Sequence, residues 1–124
     1  MVRWTYDPGY STMVEILLWE KNPQGAWQAA NLGGCTQSIW MKLAALREQD
    51  HPLDAVGVYR KYVNPTIEQT NNQAYAEAVK LIKKIQSLML RLGESKVFAT
   101  YLAELRMKYK AKRNFIKLLD QINV

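Results

Sequence analysis

The fold is decided by one stretch, residues 71–93, which reads NNQAYAEAVKLIKKIQSLMLRLG. Its apolar side chains recur every three or four residues, the spacing that places them along one face of an α-helix. That stripe consists of Tyr75, Ala78, Val79, Ile82, Ile85, Met89 and Leu92. The pair Asn71-Asn72 can cap the first turn, and Gly93 can end the last one. The stretch therefore predicts a long amphipathic helix.

The same spacing predicts six further helices, four before this stretch and two after it. They pair into predicted helical hairpins at about 10–33, 37–69 and 73–110, followed by a capping helix at 112–122. No segment alternates polar and apolar residues with the period of two that strands show. The predicted fold class is all-α: one domain over residues 1–124, built as stacked antiparallel hairpins in a tetratricopeptide-like α-solenoid.

Three prolines mark predicted helix starts or bends. Asn22-Pro23 ends one helix and begins the next, because Asn caps a first turn and Pro fits its first position. His51-Pro52 repeats this device further along the chain. Pro65 has two readings: it kinks the fourth helix, or it begins a short continuation capped by Asn64.

An apolar pattern recurs with an offset of 29 residues. It aligns Tyr10, Val14, Leu17, Pro23, Ala26 and Ala30 with Ile39, Leu43, Leu46, Pro52, Ala55 and Tyr59. In helical-hairpin repeats, a small residue early in the second helix lets the paired helices approach closely. We therefore expect Ala26 and Ala55 to be buried at helix crossings. The alternative is a chance match among apolar-rich helices.

Composition excludes several classes of protein. With 48% hydrophobic and 23% charged residues, the chain has ordinary globular usage and is expected to fold. No apolar run approaches the roughly 20 residues that span a bilayer, and the N-terminus lacks a secretory core, so we expect a cytoplasmic protein without membrane attachment. Cys35 and His51 are the sole cysteine and histidine, too few for a disulfide or a zinc site. No cofactor is expected.

No known catalytic motif is present. Gly33-Gly34 is an isolated pair that stops a helix, and phosphate-binding loops need a longer glycine pattern. Cys35 before a helix start is a candidate reactive thiol, but the favoured interpretation is a turn residue, because cysteine catalysis generally needs a base partner. His51 likewise fits a polar capping role. We therefore expect a protein that is not an enzyme.

Four tryptophans, Trp4, Trp19, Trp27 and Trp40, all lie in the first third of the chain. Core packing is the expected role for all of them, and Trp27 and Trp40 fall on predicted inward stripes. The alternative is an exposed aromatic cluster, which would mark a surface for a partner.

Positive charge is concentrated at the C-terminus. Of the net charge of +6, residues 105–124 contribute six Lys and Arg against one Asp. The candidate patch consists of Arg106, Lys108, Lys110, Lys112, Arg113 and Lys117. One interpretation is a solvated cap that closes the end of a helical stack. The other is a patch that attracts the phosphates of nucleic acid or an acidic partner.

The second half of the chain resembles the C-terminal helical region of bacterial SWIM zinc-finger proteins and of related helical proteins. The segments that carry the resemblance are 59–63 (YRKYV), 67–72 (IEQTNN), 98–106 (FATYLAELR), 112–115 (KRNF) and 118–120 (LLD). It covers about residues 40–121, and the zinc-finger motif itself is absent. The resemblance implies a tetratricopeptide-like scaffold within a longer protein, and it implies no metal site.

The leading functional interpretation is a non-catalytic scaffold for protein–protein interaction. The runner-up is a module that associates with nucleic acid through the basic C-terminal helices. A third hypothesis is a degenerate helical domain that stabilises a longer chain or a homodimer.

Overall fold

A computed structural model describes residues 10–122, and this part of the chain forms seven α-helices and no strand. The helices are α1 (Ser11–Trp19), α2 (Pro23–Gly33), α3 (Gln37–Arg47), α4 (Pro52–Ile67), α5 (Asn72–Arg91), α6 (Ser95–Lys108) and α7 (Arg113–Leu119). The all-α prediction is confirmed, and the stretch that decides the fold is α5.

The chain divides into two compact units, with the boundary after His51. The first unit contains α1 to α3, and the second contains α4 to α7. The hairpin predicted at 37–69 joins helices that belong to different units, so its pairing stays a prediction.

In the first unit, α1 and α2 form a tight hairpin. Lys21 adopts a left-handed φ of 60° in the connecting turn, and the backbone N–H of Asn22 donates to the carbonyl of Leu17. At the open end, the N–H of Tyr10 donates to the carbonyl of Gly34 at 2.7 Å. The Tyr10 ring lies so close to Gly33 that an added Cβ would meet it at 2.5 Å. A larger residue at position 33 would force the Tyr10 ring to move, so glycine favours this closure.

Small residues form the contact side of α2. Ala26, Ala29 and Ala30 are all buried, as is Val14 on α1. The predicted cap is confirmed, because Asn22 Oδ1 accepts the N–H of Gly25 at 3.0 Å. Such a seam of alanines lets two helices approach closely without leaving a cavity.

In the second unit, α4 packs along α5, and α6 and α7 pack on α5 as well. Asn71 caps α5, since its Oδ1 accepts the N–H of Ala74 at 2.8 Å. Gly93 ends the helix with φ 74°, as predicted. Pro65 does not begin a separate helix, because α4 continues through it to Ile67.

Two large apolar residues of the predicted repeat, Tyr10 and Leu46, are exposed. Met13 is exposed as well, although helical spacing predicts it on the apolar face of the first helix with Tyr10 and Val14. On α3 the reason is that Arg47, not Leu46, takes the position one turn beyond Leu43 on the buried face. The guanidinium carbon of Arg47 lies 4.5 Å from the centre of the Trp27 ring, so a stacked cation replaces an aliphatic side chain. The repeat predicted from apolar spacing is wrong at this position.

Ala55 is fully buried, and we expect its replacement by Leu to destabilise the protein by about 1–3 kcal/mol. The three added carbon atoms have no space in a closely packed interior, so neighbouring side chains must leave their preferred rotamers. Urea unfolding followed by circular dichroism measures the change. Ala76→Leu, at an exposed position of α5, is the matched control. Equal stability of the two variants would contradict the prediction.

Candidate interaction surfaces

The outer face of α1 is apolar and open to solvent. Met13, Ile16 and Trp19 have exposed fractions of 50%, 51% and 85%. At about 100° per residue they form a band about 120° wide, on the side of the helix opposite Val14. Since Val14 is fully buried, α1 carries apolar side chains on both its inner and outer faces. We call the band of these three exposed residues the α1 face.

Charges near the α1 face are mainly acidic. Glu15 is the only charged residue within α1, and Glu20 follows the helix directly. Lys21 comes next but lies in the turn to α2. The face therefore combines exposed apolar side chains with two neighbouring carboxylates.

The tryptophans of the first unit divide into two kinds. Trp27 and Trp40 contact each other edge to face, with ring centres 5.7 Å apart, and Trp40 is buried. Trp19 is exposed, so the expectation of a core role is wrong for this residue. Trp4 lies outside the described residues.

Arg47 of α3 contacts two residues of α2 and lies beside a small cleft. It is buried, stacks on Trp27 and donates from one guanidinium nitrogen to Gln24 Oε1 at 3.2 Å. The cleft, of about 130 Å³, is lined by Pro23, Gln24, Leu43, Leu46, Arg47, Asp50 and His51. Ligand sites for drug-sized molecules run from about 300 to 1,000 Å³, so this cleft does not resemble a substrate pocket.

Cys35 and His51, the two candidate reactive residues, lie in different connections of the first unit. Cys35 is half-buried in the connection between α2 and α3, and His51 is exposed just before α4. Among residues 10–122, no three His, Cys, Asp or Glu side chains lie close enough to hold a metal ion.

The predicted C-terminal patch is partly engaged in contacts within the second unit. Arg106 forms an ion pair with Asp120. Lys112 Nζ donates to Thr70 Oγ1 at 2.8 Å. Lys108 lies with its ammonium 5.6 Å from the centre of the Tyr109 ring. Two of the six predicted residues, Arg106 and Lys112, therefore contact other segments of the second unit, whereas Lys108 contacts only its neighbour in the chain.

Four of the predicted residues, Lys108, Lys110, Arg113 and Lys117, are exposed. Lys108 ends α6, Lys110 lies in the connection between α6 and α7, and Arg113 and Lys117 lie on α7. The start of α7 is held at the start of α5, because Asn114 Nδ2 donates to Asn72 Oδ1 at 3.2 Å. Four of the six predicted positive charges therefore face solvent.

Sequence reasoning missed a second basic surface. The second unit contains 13 Lys and Arg against six Asp and Glu, a formal charge of +7, whereas the first unit has −1. Lys80, Lys83 and Lys84 contribute three of these charges and are all exposed on α5. Their spacing within a predicted helix indicates that they share one face of it. The density of charge along the sequence, however, is highest at the C-terminus, which is why the patch was predicted there.

Two buried tyrosines hold α6 in place. The guanidinium of Arg60 lies 4.4 Å from the centre of the Tyr101 ring, and within the described residues the Tyr101 hydroxyl has no hydrogen-bond partner. Burial raises the pKa of Tyr101 to about 12, although the Arg60 charge opposes the rise. Tyr109 donates from its hydroxyl to Glu68 Oε2 at 2.8 Å. Burial, with this carboxylate, also raises the pKa of Tyr109.

We expect stability to fall as the pH rises above about 10. Tyrosine in the unfolded chain ionises near pH 10, whereas burial keeps Tyr101 neutral up to about pH 12. Between these values deprotonation favours the unfolded state, so the free energy of unfolding decreases. Urea unfolding at pH 8 to 11.5 measures it. Tyr101→Phe should make the decline shallower, and an unchanged pH profile in this variant would contradict the assignment.

No helix within residues 10–122 has the length and apolar character required to cross a membrane. In comparisons with protein-family models, curated proteins and solved structures, no match to this chain was found. The surfaces described above are therefore the basis for an assignment of function.

Proposed function

We propose that this protein is a non-catalytic helical scaffold, of the tetratricopeptide-like kind, that binds a partner protein on the α1 face. The observation that carries the proposal is the exposure of Met13, Ile16 and Trp19 on one side of a short helix. The resemblance of residues 40–121 to the helical region of SWIM zinc-finger proteins supports a scaffold role.

The arrangement of α1 is unusual for a solvent-facing helix. A surface helix ordinarily buries one apolar stripe and presents polar residues to water. On α1 the inward positions are filled by Ser11 and Val14, yet the outward positions hold Met, Ile and Trp. Tryptophan is enriched where binding energy is concentrated, and exposed apolar patches mark interaction sites.

The two carboxylates beside the α1 face indicate which kind of partner protein fits it. Glu15 and Glu20 would meet Lys or Arg on the rim of a partner, and α1 has no basic residue of its own. We propose that the partner supplies an amphipathic helix with an apolar stripe and basic flanks. A membrane surface fits less well, because helices that bind anionic lipid carry Lys and Arg on their polar side.

Binding of synthetic helical peptides tests this function. We expect a labelled peptide with Leu at i, i+3, i+4 and i+7 and flanking Lys residues to bind at least about tenfold more tightly than the same peptide flanked by Glu. A peptide of the same composition in scrambled order is the control for charge alone. Equal binding of the ordered and scrambled peptides in fluorescence anisotropy would contradict the proposal. Light scattering shows whether a second copy occupies the face instead.

A second candidate function is nucleic-acid association through the basic second unit. The observation that favours it is the charge of +7 in that unit, with Lys110, Arg113 and Lys117 exposed. Steep loss of DNA or RNA binding with rising salt is the expected signature. Lys112 is less suitable for a test variant, because its contact with Thr70 is structural.

A further inference from the structure

Three lysines form a compact cationic surface on α5. Lys80, Lys83 and Lys84 lie within an arc of about 100° and within about 6 Å along the helix axis. All three are exposed. Lys84 Nζ lies 5.2 Å from the centre of the buried Tyr59 ring, which orients one member of the set. We call this set the α5 lysines.

The α5 lysines are not explained by the stability of the helix. Favourable interaction of cations with the helix dipole is confined to the last turn, and these residues lie near the middle of a 20-residue helix. Lys80 and Lys84 are four residues apart, a spacing at which like charges repel. Within the described residues, none of the three forms an ion pair with a carboxylate. Within this part of the chain the repulsion is offset only by Glu77, three residues before Lys80, and by the contact of Lys84 with the Tyr59 ring.

We propose that the α5 lysines bind the phosphate backbone of double-stranded nucleic acid without reading its sequence. This inference rests on the second candidate function and moves its main contact from α6 and α7 to α5. Lysine provides mobile point charges suited to phosphates, which position a protein on the duplex but carry no base information. The only aromatic residue of α5, Tyr75, is buried. Helix α5 itself therefore offers no exposed ring on which single-stranded bases could stack.

Fluorescence anisotropy with a labelled duplex and the matching single strand, across a salt series, tests the inference. The variant Lys80→Gln/Lys83→Gln/Lys84→Gln is compared with Lys110→Gln/Arg113→Gln/Lys117→Gln, which also removes three charges. We expect the α5 variant to lower the salt slope of duplex binding by about 2 to 3, because each phosphate contact contributes about 0.9. We expect a smaller change from the control. Lys80→Gln/Lys83→Gln, which keeps the Lys84–Tyr59 contact, excludes a folding effect.

The outcomes separate the two proposals. If the wild type binds no nucleic acid even at low salt, both the second candidate function and this inference fail. If it binds and only the α6–α7 variant weakens binding, the inference fails and the candidate function stands. Equal competition by polyglutamate and by duplex would overturn nucleic acid as the ligand. Tighter binding of the single strand would overturn the backbone mode.

Discussion

Replacing Phe115 by Ala should destabilise the second unit by about 3–5 kcal/mol, the largest effect that we expect from a single substitution. Phe115 is fully buried. Its ring centre lies 5.9 Å from that of Tyr75 on α5 and 6.0 Å from that of Tyr109 at the end of α6. Truncation removes both aromatic contacts and leaves a cavity that the surrounding rings cannot fill.

The short length of α7 makes this effect larger. A helix of seven residues is not stable alone, so α7 is held by its packing on α5. Urea unfolding measured by circular dichroism gives the free energy, and Lys117→Ala, at an exposed position of α7, is the control. A loss of less than about 1 kcal/mol in the Phe115 variant would show that α7 is not part of the cooperative core.

Replacing Trp19 by Ser should weaken binding of the basic amphipathic peptide by about thirtyfold, equivalent to about 2 kcal/mol. The indole is 85% exposed, so its removal costs the folded protein little. We expect the free energy of unfolding to change by no more than about 0.5 kcal/mol. This separation of binding from stability is the signature of a contact residue.

Peptide titrations of the wild type and the Trp19→Ser variant provide the measurement. Leu90→Ser is the matched control, because Leu90 is a similarly exposed apolar residue on α5, outside the α1 face. Equal loss of affinity in the two variants would indicate nonspecific apolar binding. Loss of both affinity and stability in the Trp19 variant would indicate that the indole is structural.

Most of the helical architecture could be predicted from the sequence, because local signals agree with tertiary packing. The apolar stripe of α5 is buried apart from its last residue, Leu92, which is half-buried. The caps at Asn22 and Asn71 and the stop at Gly93 are where the sequence indicates. These features depend on residues close together in the chain, which is why a single sequence reveals them.

The candidate surfaces were harder to predict, because they depend on which side of a helix faces water. Apolar spacing places Trp40, and not Trp19, on an inward stripe, but it does not indicate whether another part of the chain covers Trp19. Nor does it indicate that Arg47 takes the buried position on α3, since stacking on Trp27 is a contact between different helices. The pairing of Arg106 with Asp120 likewise joins residues on or beside different helices.

Nuclear magnetic resonance mapping of the bound peptide tests the central claim most directly. The backbone amide signals of the wild type are followed during titration with the basic amphipathic peptide. We expect the largest shifts to fall on residues 12–20, with the indole N–H of Trp19 among them, and we expect the Trp19→Ser variant to lose them. Shifts centred on α5 or α7, with α1 unaffected, would contradict the α1 face as the docking surface.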